Sequence, residues 1–593
     1  MIRTPLRPLA RVLDARQKGE NPDNIERENI RIRHEQMRDQ ARQRAEGRLL
    51  VLGIFFVVAF SVVGLRMGML ASAEPMEPRV DAPGAQIHAA RADIVDRHGN
   101  LLATNFETHA LYAQPPHMVD PVHAAQELAK VFPDLEAQDL LEDFTGKRKF
   151  LWIKRKISPE QMQAVHEIGD PGLLFAARDM RLYPNGRLAA HVLGGASFGK
   201  EGVTAAEVIG VAGVEKYFDD YLRDPANGAK PLQLSLDLTI QAASERVLLG
   251  GMKLMNAKGA TSILMDAHTG EVISVVSLPT FDPNKRPRPA VSGDASDSPL
   301  FNRSVQGVYE LGSTFKIFTV AQAMDLGLVN PETVIDTKGP LRWGKHRIRD
   351  FRNYGDEMSV TKVIVKSSNI GTARMAQAIG VDRQKEFLGE LGMLETTGFE
   401  IVEAATGRPL LPPNWSELST MTISYGHGLS TSPMHLAAGY AAIANGGHKV
   451  QPTVLKRTDA EKGPRVFSEY ASAAARKMLR KVVTEGTASF GEVKGYAVAG
   501  KTGTADKPRP QGGYYDDKVI ATFASIFPAD DPKYVLIVTL DEPVETTGDK
   551  PRRTAGWTAV PVAAEMIRRV APLLGLRPTV EPVETHDIKL SSN

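Results

Sequence analysis

The sequence predicts an α+β protein in three parts. A single membrane-spanning helix comes first, then an α+β domain, then a larger domain in which an antiparallel sheet is flanked by helices and a helical subdomain. Three observations predict this. Leu49–Leu65 contains no charged residue. Strand-like alternation occurs at Thr261–Ala267 and Glu271–Leu278, and further strands are expected late, at Val519–Phe527 and Tyr534–Leu540. The pattern between them is helical, so both ends of that region feed one sheet. At 593 residues the chain is too long for one core. A formal net charge of +2 gives no reason to invoke nucleic acid. The chain has no Cys, which excludes disulfides, thiol catalysis and Cys-ligated metals and suits an oxidising compartment.

Residues 1–48 are polar and Arg-rich, and read as a solvated, partly helical or disordered tail. Residues 49–72 exceed the roughly 7–15 residues of a signal-peptide core and are long enough for a spanning helix, which needs ~20. Ala71-Ser72-Ala73 has the small-residue form of a cleavage site. The long tail and long apolar stretch argue instead for an uncleaved anchor. Arg-rich sequence before the span keeps the N-terminus cytoplasmic and exports the rest. Glu74–Gly84 reads as a tether.

Residues 73–228 read as a structural or interaction domain without a nucleophile set, metal cluster or phosphate loop. Arg91–Ala103 reads as two short strands around a His98-Gly99-Asn100 turn, with Asp96 and Arg97 as an ion pair bracing it. Asn227-Gly228 marks a boundary, and residues 229–575 form the larger domain. In it Leu234–Asp237 is strand-like, Leu238–Met255 helical, and His268-Thr269-Gly270 turns a hairpin. Tyr496–Ala499 is a further strand and Thr558–Leu574 a terminal helix. Tyr514-Tyr515 falls in a Gly-rich polar loop, and residues 576–593 are a flexible tail.

The chemistry gathers at three stretches: Ser313-x-x-Lys316, Ser367-Ser368-Asn369 and Lys501-Thr502-Gly503-Thr504. Each alone is a common chance pattern. Ser313–Met324 is apolar at Phe315, Ile317, Phe318, Val320, Ala321 and Met324, which predicts a largely buried helix starting near Gly312. Ser313 and Lys316 then share a face. A serine hydroxyl needs a neighbouring base, and a desolvated lysine beside another cation can be that base. A first-turn Ser313 also meets helix N–H groups that favour a developing anion.

The ordered S-x-x-K, S-x-N and K-T-G trio marks penicillin-recognising serine acyltransferases. More widely, the chain resembles the class B penicillin-binding proteins, membrane-anchored peptidoglycan D,D-transpeptidases with a pedestal and a C-terminal penicillin-binding domain. Arg91–Gly99 carries the pedestal signature, with Ala92 where the family usually has Gly. Arg181–Gly186, Gly210–Glu215, Met265–Asn284, Tyr425–Gly428 and Gly486-Thr487-Ala488 match further landmarks. Ser367–Gly371 resembles the division-specific, penicillin-binding protein 3 type, since elongation-type relatives carry S-x-D there.

The resemblance implies an elongated pedestal and an acyl-serine mechanism. Ser313 attacks the penultimate D-Ala carbonyl of a stem peptide. Neutral Lys316 takes the proton, and Ser367 bridges Lys316 and Lys501. Asn369 holds Lys316 and the substrate amide, Thr502 and Thr504 bind the terminal carboxylate, and Gly503 completes the substrate strand. Lys501–Thr504 would be a strand edge that an extended peptide joins. No cofactor or metal is implied. Implied partners are stem peptides, β-lactams as inhibitors, the membrane, a glycan-polymerising membrane glycosyltransferase and other division proteins. The implied location is the inner membrane at the division site. Alternatives are an elongation-type transpeptidase, a β-lactamase or D,D-carboxypeptidase, and a non-catalytic sensor or scaffold. Asp266, Glu271, Asp350 and Tyr354 read as fold residues, and His427 as a residue shaping its turn.

Overall fold

A computed structural model describes residues 7–72, 91–201, 206–227, 230–458, 461–509 and 512–579. The expected tether, Ala73 of the small-residue site, Gly228 and the tail beyond Thr579 lie outside the described residues. The chain divides into two compact units. One holds Met1–Arg79, Tyr112–Ile153 and Gln163–Leu174. The other holds Val80–Leu111, Lys154–Met162 and Phe175–Asn593.

In the first unit the N-terminal tail is helical, at Arg7–Gln17 and Pro22–Ser72. The second helix runs without interruption from the Arg-rich sequence into the apolar stretch. Its Glu46–Met67 portion is long and apolar enough to cross a membrane. The same unit contains helices Pro121–Val131 and Ala137–Thr145. Asp120 caps the first of these by accepting from His123 N–H at 3.0 Å. Tyr112, Phe150 and Trp152 form a mutual ring cluster.

In the second unit the Arg91–Ala103 reading holds for the strands but not for the ion pair. Ile94 pairs antiparallel with Ala103 and parallel with Leu232. Ala92 is not among the positive-φ residues. Asp96 does not pair with Arg97. Its carboxylate is fully buried and accepts from His98 N–H at 2.8 Å and from Asn100 N–H and Nδ2 at 2.9 Å each, so it is a hydrogen-bonded turn anchor. Arg97 reaches Glu271 Oε2 at 2.8 Å. A turn supplies several converging N–H donors, and these satisfy a buried carboxylate without a counter-charge.

The central sheet has strands β1 (Gly259–Asp266), β2 (Val272–Leu278), β3 (Ala499–Pro508), β4 (Tyr514–Phe527) and β5 (Tyr534–Asp541), in spatial order β3-β4-β5-β1-β2. All its pairings are antiparallel. One continuous row runs Thr502, Phe523, Val538, Ser262, Val276. Strands β1, β2 and β5 are buried almost throughout, because helices cover both faces of the sheet. Helices Leu238–Leu254 and Ala559–Leu573 pack on one another and on the sheet, and Pro433–Ala444 and Glu469–Glu485 also pack on it. The interleaving of early and late strands leaves β3 on an edge. Tyr514-Tyr515 opens β4 and is not a loop. The strand predicted at Tyr496–Ala499 begins only at Ala499.

Candidate active site

Three elements bring the motif residues together. Gly312–Phe315 is one turn of 3₁₀ helix that runs into the α-helix Lys316–Asp325. Nine of that helix's ten residues are buried, Lys316 among them. The tight start follows from packing. Gly312 has φ +56°, and a Cβ there would lie 3.0 Å from Thr504 O. A Cβ on Gly503 would lie 2.2 Å from Leu311 O. These two glycines let β3 lie directly against the segment carrying Ser313. Tyr440 fixes the same turn from behind, donating to Thr314 O at 3.0 Å.

The second element is the junction of helices Val360–Lys366 and Asn369–Ile379. Ser367 ends the first in a left-handed conformation with φ 62°, and Ser368 caps the second by accepting from Gly371 N–H at 3.0 Å. A left-handed non-glycine persists only where its surroundings hold it. Asp350 does the holding. It accepts from Ser368 Oγ at 2.7 Å, Asn369 N–H at 2.6 Å and Ile370 N–H at 3.0 Å. Asn369 Nδ2 donates to Arg349 O at 2.9 Å.

The third element is β3. Lys501 Nζ donates to Ser367 Oγ at 3.0 Å and to Thr502 O at 3.2 Å. Lys316 Nζ lies 2.6 Å from Ser367 O, 3.1 Å from Ser367 Oγ and 2.7 Å from Asn369 Oδ1. One hydroxyl therefore bridges two lysines that are each fully buried. No carboxylate bonds either lysine among the described residues. Burial, and after it the Lys501 charge, push Lys316 well below the ordinary lysine range, while the Asp350 charge partly opposes them. Burial pushes Lys501 down to about 7.

Two carbonyl oxygens accept the N–H groups of a neutral Lys316, which leaves its lone pair for a hydroxyl. Ser313 is half-buried, and its Oγ makes no hydrogen bond with Lys316 or any other described residue. The structure thus unites Lys316, Ser367, Asn369 and Lys501, and keeps the Ser313 hydroxyl free on the adjoining turn. Thr502 Oγ1 shares a hydrogen bond of 2.6 Å with Thr487 Oγ1, and Thr504 Oγ1 accepts from Ala555 N–H at 3.0 Å.

Sequence reasoning missed three groups. Asp350 was read as a fold residue, and nothing in its sequence neighbourhood signals the clamp. Glu310 accepts from Gly428 N–H at 2.7 Å and from Tyr514 Oη at 3.0 Å. Its position just before Ser313 was the available signal. Thr487 sits in a matched landmark without an assigned role.

The comparisons with known proteins agree with this geometry. The model described as penicillin binding protein transpeptidase domain matches residues 260–565, and that described as penicillin-binding protein dimerisation domain matches residues 86–233. The chain belongs to the class B penicillin-binding proteins, of the division-specific, penicillin-binding protein 3 type. It is 33% identical over 567 residues to "Probable peptidoglycan D,D-transpeptidase FtsI" of Caulobacter vibrioides, covering 93% of each chain. It is 28% identical to "Peptidoglycan D,D-transpeptidase FtsI" of Escherichia coli K12, covering 77% of this chain and 80% of that one. The crystal structure of penicillin binding protein 3 from Mycobacterium tuberculosis, complexed with aztreonam, matches with a TM-score of 0.61 at 26% identity, over 83% of this chain and 98% of that chain. Among class B penicillin-binding proteins the fold seen here is the expected one, a dimerisation or pedestal domain followed by an antiparallel-sheet transpeptidase domain.

Proposed function

We propose that Ser313 is the nucleophile of this chain and that the Lys316–Ser367–Lys501 chain activates it. The chain is a peptidoglycan D,D-transpeptidase of the division-specific type. Its substrates are peptidoglycan stem peptides, and β-lactams bind the same domain. The observation that carries the role assignment is the pair of buried lysines sharing the Ser367 hydroxyl with no carboxylate to neutralise them. A lysine in that setting is a base at neutral pH.

In the proposed sequence Lys316 takes the Ser313 proton as Oγ attacks the penultimate D-Ala carbonyl. Backbone N–H groups of Ser313 and Thr504 stabilise the oxyanion, a contribution of about 10²–10³ in rate per donor. Thr502 and Thr504 hydroxyls with Lys501 hold the terminal carboxylate, and Gly503 keeps the strand close. The proton reaches the leaving D-Ala through Ser367. Asn369 anchors Lys316 and the peptide amide. The amine of a second stem peptide then attacks the acyl-enzyme and forms the crosslink.

We assign residues 1–48 to a cytoplasmic tail, 49–72 to the anchor, 73–228 to the pedestal, 229–575 to catalysis and 576–593 to a tail. The bulk is periplasmic at the division site, beside a glycan-polymerising glycosyltransferase and other division proteins. The name FtsI on relatives supports the septal role, and the Arg-rich sequence before the span supports the orientation.

Labelling with fluorescent penicillin, wild type against Ser313→Ala, tests the nucleophile. A long-lived adduct absent from the variant is expected. Unlabelled wild type would overturn the assignment, and rapid release of hydrolysed drug would indicate a β-lactamase.

A further inference from the structure

A hairpin beside the Ser367–Asn369 junction takes no part in the chemistry above, and it carries charge without partners. Leu341–Trp343 pairs antiparallel with His346–Ile348, in the register Leu341↔Ile348, Arg342↔Arg347 and Trp343↔His346. Strand alternation gives the hairpin two unlike faces. Leu341 and Ile348 are buried in one apolar cluster with Ile370 and Ala373 of helix Asn369–Ile379. Arg342 and Arg347 are exposed, and so is Arg349, two residues on. Directly opposite side chains stand with Cβ atoms about 4.5–5.5 Å apart, and like charges so placed repel. Nothing in the described chain relieves the repulsion. Arg374 has Asp336 at 2.7 Å. Arg342, Lys345, Arg347, Arg349 and Arg352 have no carboxylate partner among the described residues. Asp350, which lies between two of them in sequence, is committed to Ser368 Oγ and two backbone N–H groups. Arg352 lies over the Phe351 ring at 5.7 Å, and Phe351 is 80% exposed. Unpaired cations held on a fixed face call for an anion from outside the chain.

Place decides which anion. Arg349 O accepts from Asn369 Nδ2 at 2.9 Å, and Asn369 Oδ1 accepts from Lys316. The buried side of the hairpin packs on Ile370, the next residue. The arginine face is therefore indexed to the group that holds the catalytic base. A second stem peptide must bring its amine to the acyl-serine beside that base, and it carries free carboxylates as well. Arginine meets a carboxylate with two parallel hydrogen bonds, so the face offers such a peptide both charge and geometry.

We propose that the arginine face of this hairpin, Arg342 and Arg347 with Arg349, is the docking surface for the carboxylates of the acceptor stem peptide. The inference rests on the transpeptidase reading. It gives the second substrate a surface of its own, apart from the β3 edge that the donor joins. With its carboxylates held there, the acceptor amine attacks the acyl-serine carbonyl. An amide bond forms, the ester bond to Ser313 Oγ breaks, and the surplus amine proton returns to that oxygen.

The test uses the full-length protein in detergent, a thioester of N-benzoyl-D-alanine with mercaptoacetate as donor, and two acceptor peptides. Acetyl-D-glutamyl-L-lysyl-D-alanine carries carboxylates, acetyl-D-glutaminyl-L-lysyl-D-alaninamide carries none, and the lysine amine is the same in both. Formation of the aminolysis product is followed against acceptor concentration. The wild type should half-saturate with the charged acceptor at a concentration about tenfold lower, the gain expected from a pair of exposed ion pairs. The gap should narrow as ionic strength rises from about 0.1 to about 1 M, where the screening length falls from about 10 to about 3 Å. Arg342→Gln with Arg347→Gln should bring the ratio to about two or less, and Lys at both positions should keep part of it. Thioester hydrolysis without acceptor, and penicillin labelling, should stay unchanged in these variants, a split that a folding defect would not give. Should the double variant fail to fold, Arg342→Gln alone should still lower the ratio. Acceptors that the wild type does not distinguish, as expected if an acidic protein is what the hairpin binds, would overturn the inference. So would a ratio unchanged in the variants. Absence of both thioester turnover and penicillin labelling in the wild type would instead overturn the transpeptidase reading.

Discussion

Two buried charge clusters in the second unit use the same ingredients to opposite ends. Around Glu215 each arginine meets a carboxylate. Arg91 Nε and Arg181 Nε bond its two oxygens at 2.7 and 2.6 Å, Arg91 Nη1 bonds Asp219 at 2.7 Å, and Tyr183 Oη adds a bond of 3.2 Å. Around Ser367 two cations are buried with only hydroxyl and carbonyl oxygens to receive them. A matched cluster braces the fold. An unmatched one sheds a proton to relieve its burial, and a lysine that has shed its proton is a base. The difference teaches that the missing carboxylate, more than the presence of lysines, makes the second cluster reactive.

The sharpest way to break the comparison is to remove one charged group from each cluster. Lys316→Met should lower penicillin acylation by about 10³-fold, within the range for losing a positioned base, and raise stability by roughly 1–2 kcal/mol at neutral pH. The gain follows from the sign of the shift. A lysine whose pKa falls on folding binds more protons unfolded, so its burial costs stability until the pH approaches the ordinary value of about 10.4. For Lys501 the cost is fully present below about 7 and is relieved as the pH rises from there. Thermal melts and acylation rates on the same preparation check both halves. A variant less stable than the wild type would show that the pocket is not strained.

Glu215→Gln should do the reverse. It leaves two buried guanidiniums short of a counter-charge and should cost about 3–5 kcal/mol by denaturant titration, with acylation per folded molecule retained. An unchanged midpoint would mean that the arginines find other partners.

The smallest effect sharpens the boundary between the clusters. Asp350→Asn removes the one nearby negative charge that supports protonation of Lys316. The acidic limb of the acylation pH profile should move to lower pH, because Lys316 loses its proton more readily. The rate at the optimum should fall about tenfold as the Ser367–Asn369 turn loosens. The fall above pH 7 that reports discharge of Lys501 should stay in place. A shift to higher pH would contradict the charge argument.

Local signals carried much of this protein. The unbroken apolar run, the strand patterns of β1, β2, β4 and β5, and the spacing of Ser313 and Lys316 each reflect contacts within a few residues, which sequence order preserves. The three motifs named the residues that meet around Ser367. Tertiary structure decided the rest. Asp96 takes turn N–H groups in place of Arg97, because backbone donors converge on it only once the turn closes. Tyr514 is strand, because β4 extends to pair with Pro508. Asp350 becomes a clamp because folding brings it onto a turn formed 17 residues further along the chain. The depressed affinities of Lys316 and Lys501 for protons depend on burial and, for Lys316, also on the Lys501 charge, quantities that arise only when distant segments pack. Sequence alone determined which groups are available for chemistry. Packing decided which of them are left without a counter-charge, because desolvation and pairing are properties of neighbours in space and not of neighbours in the chain.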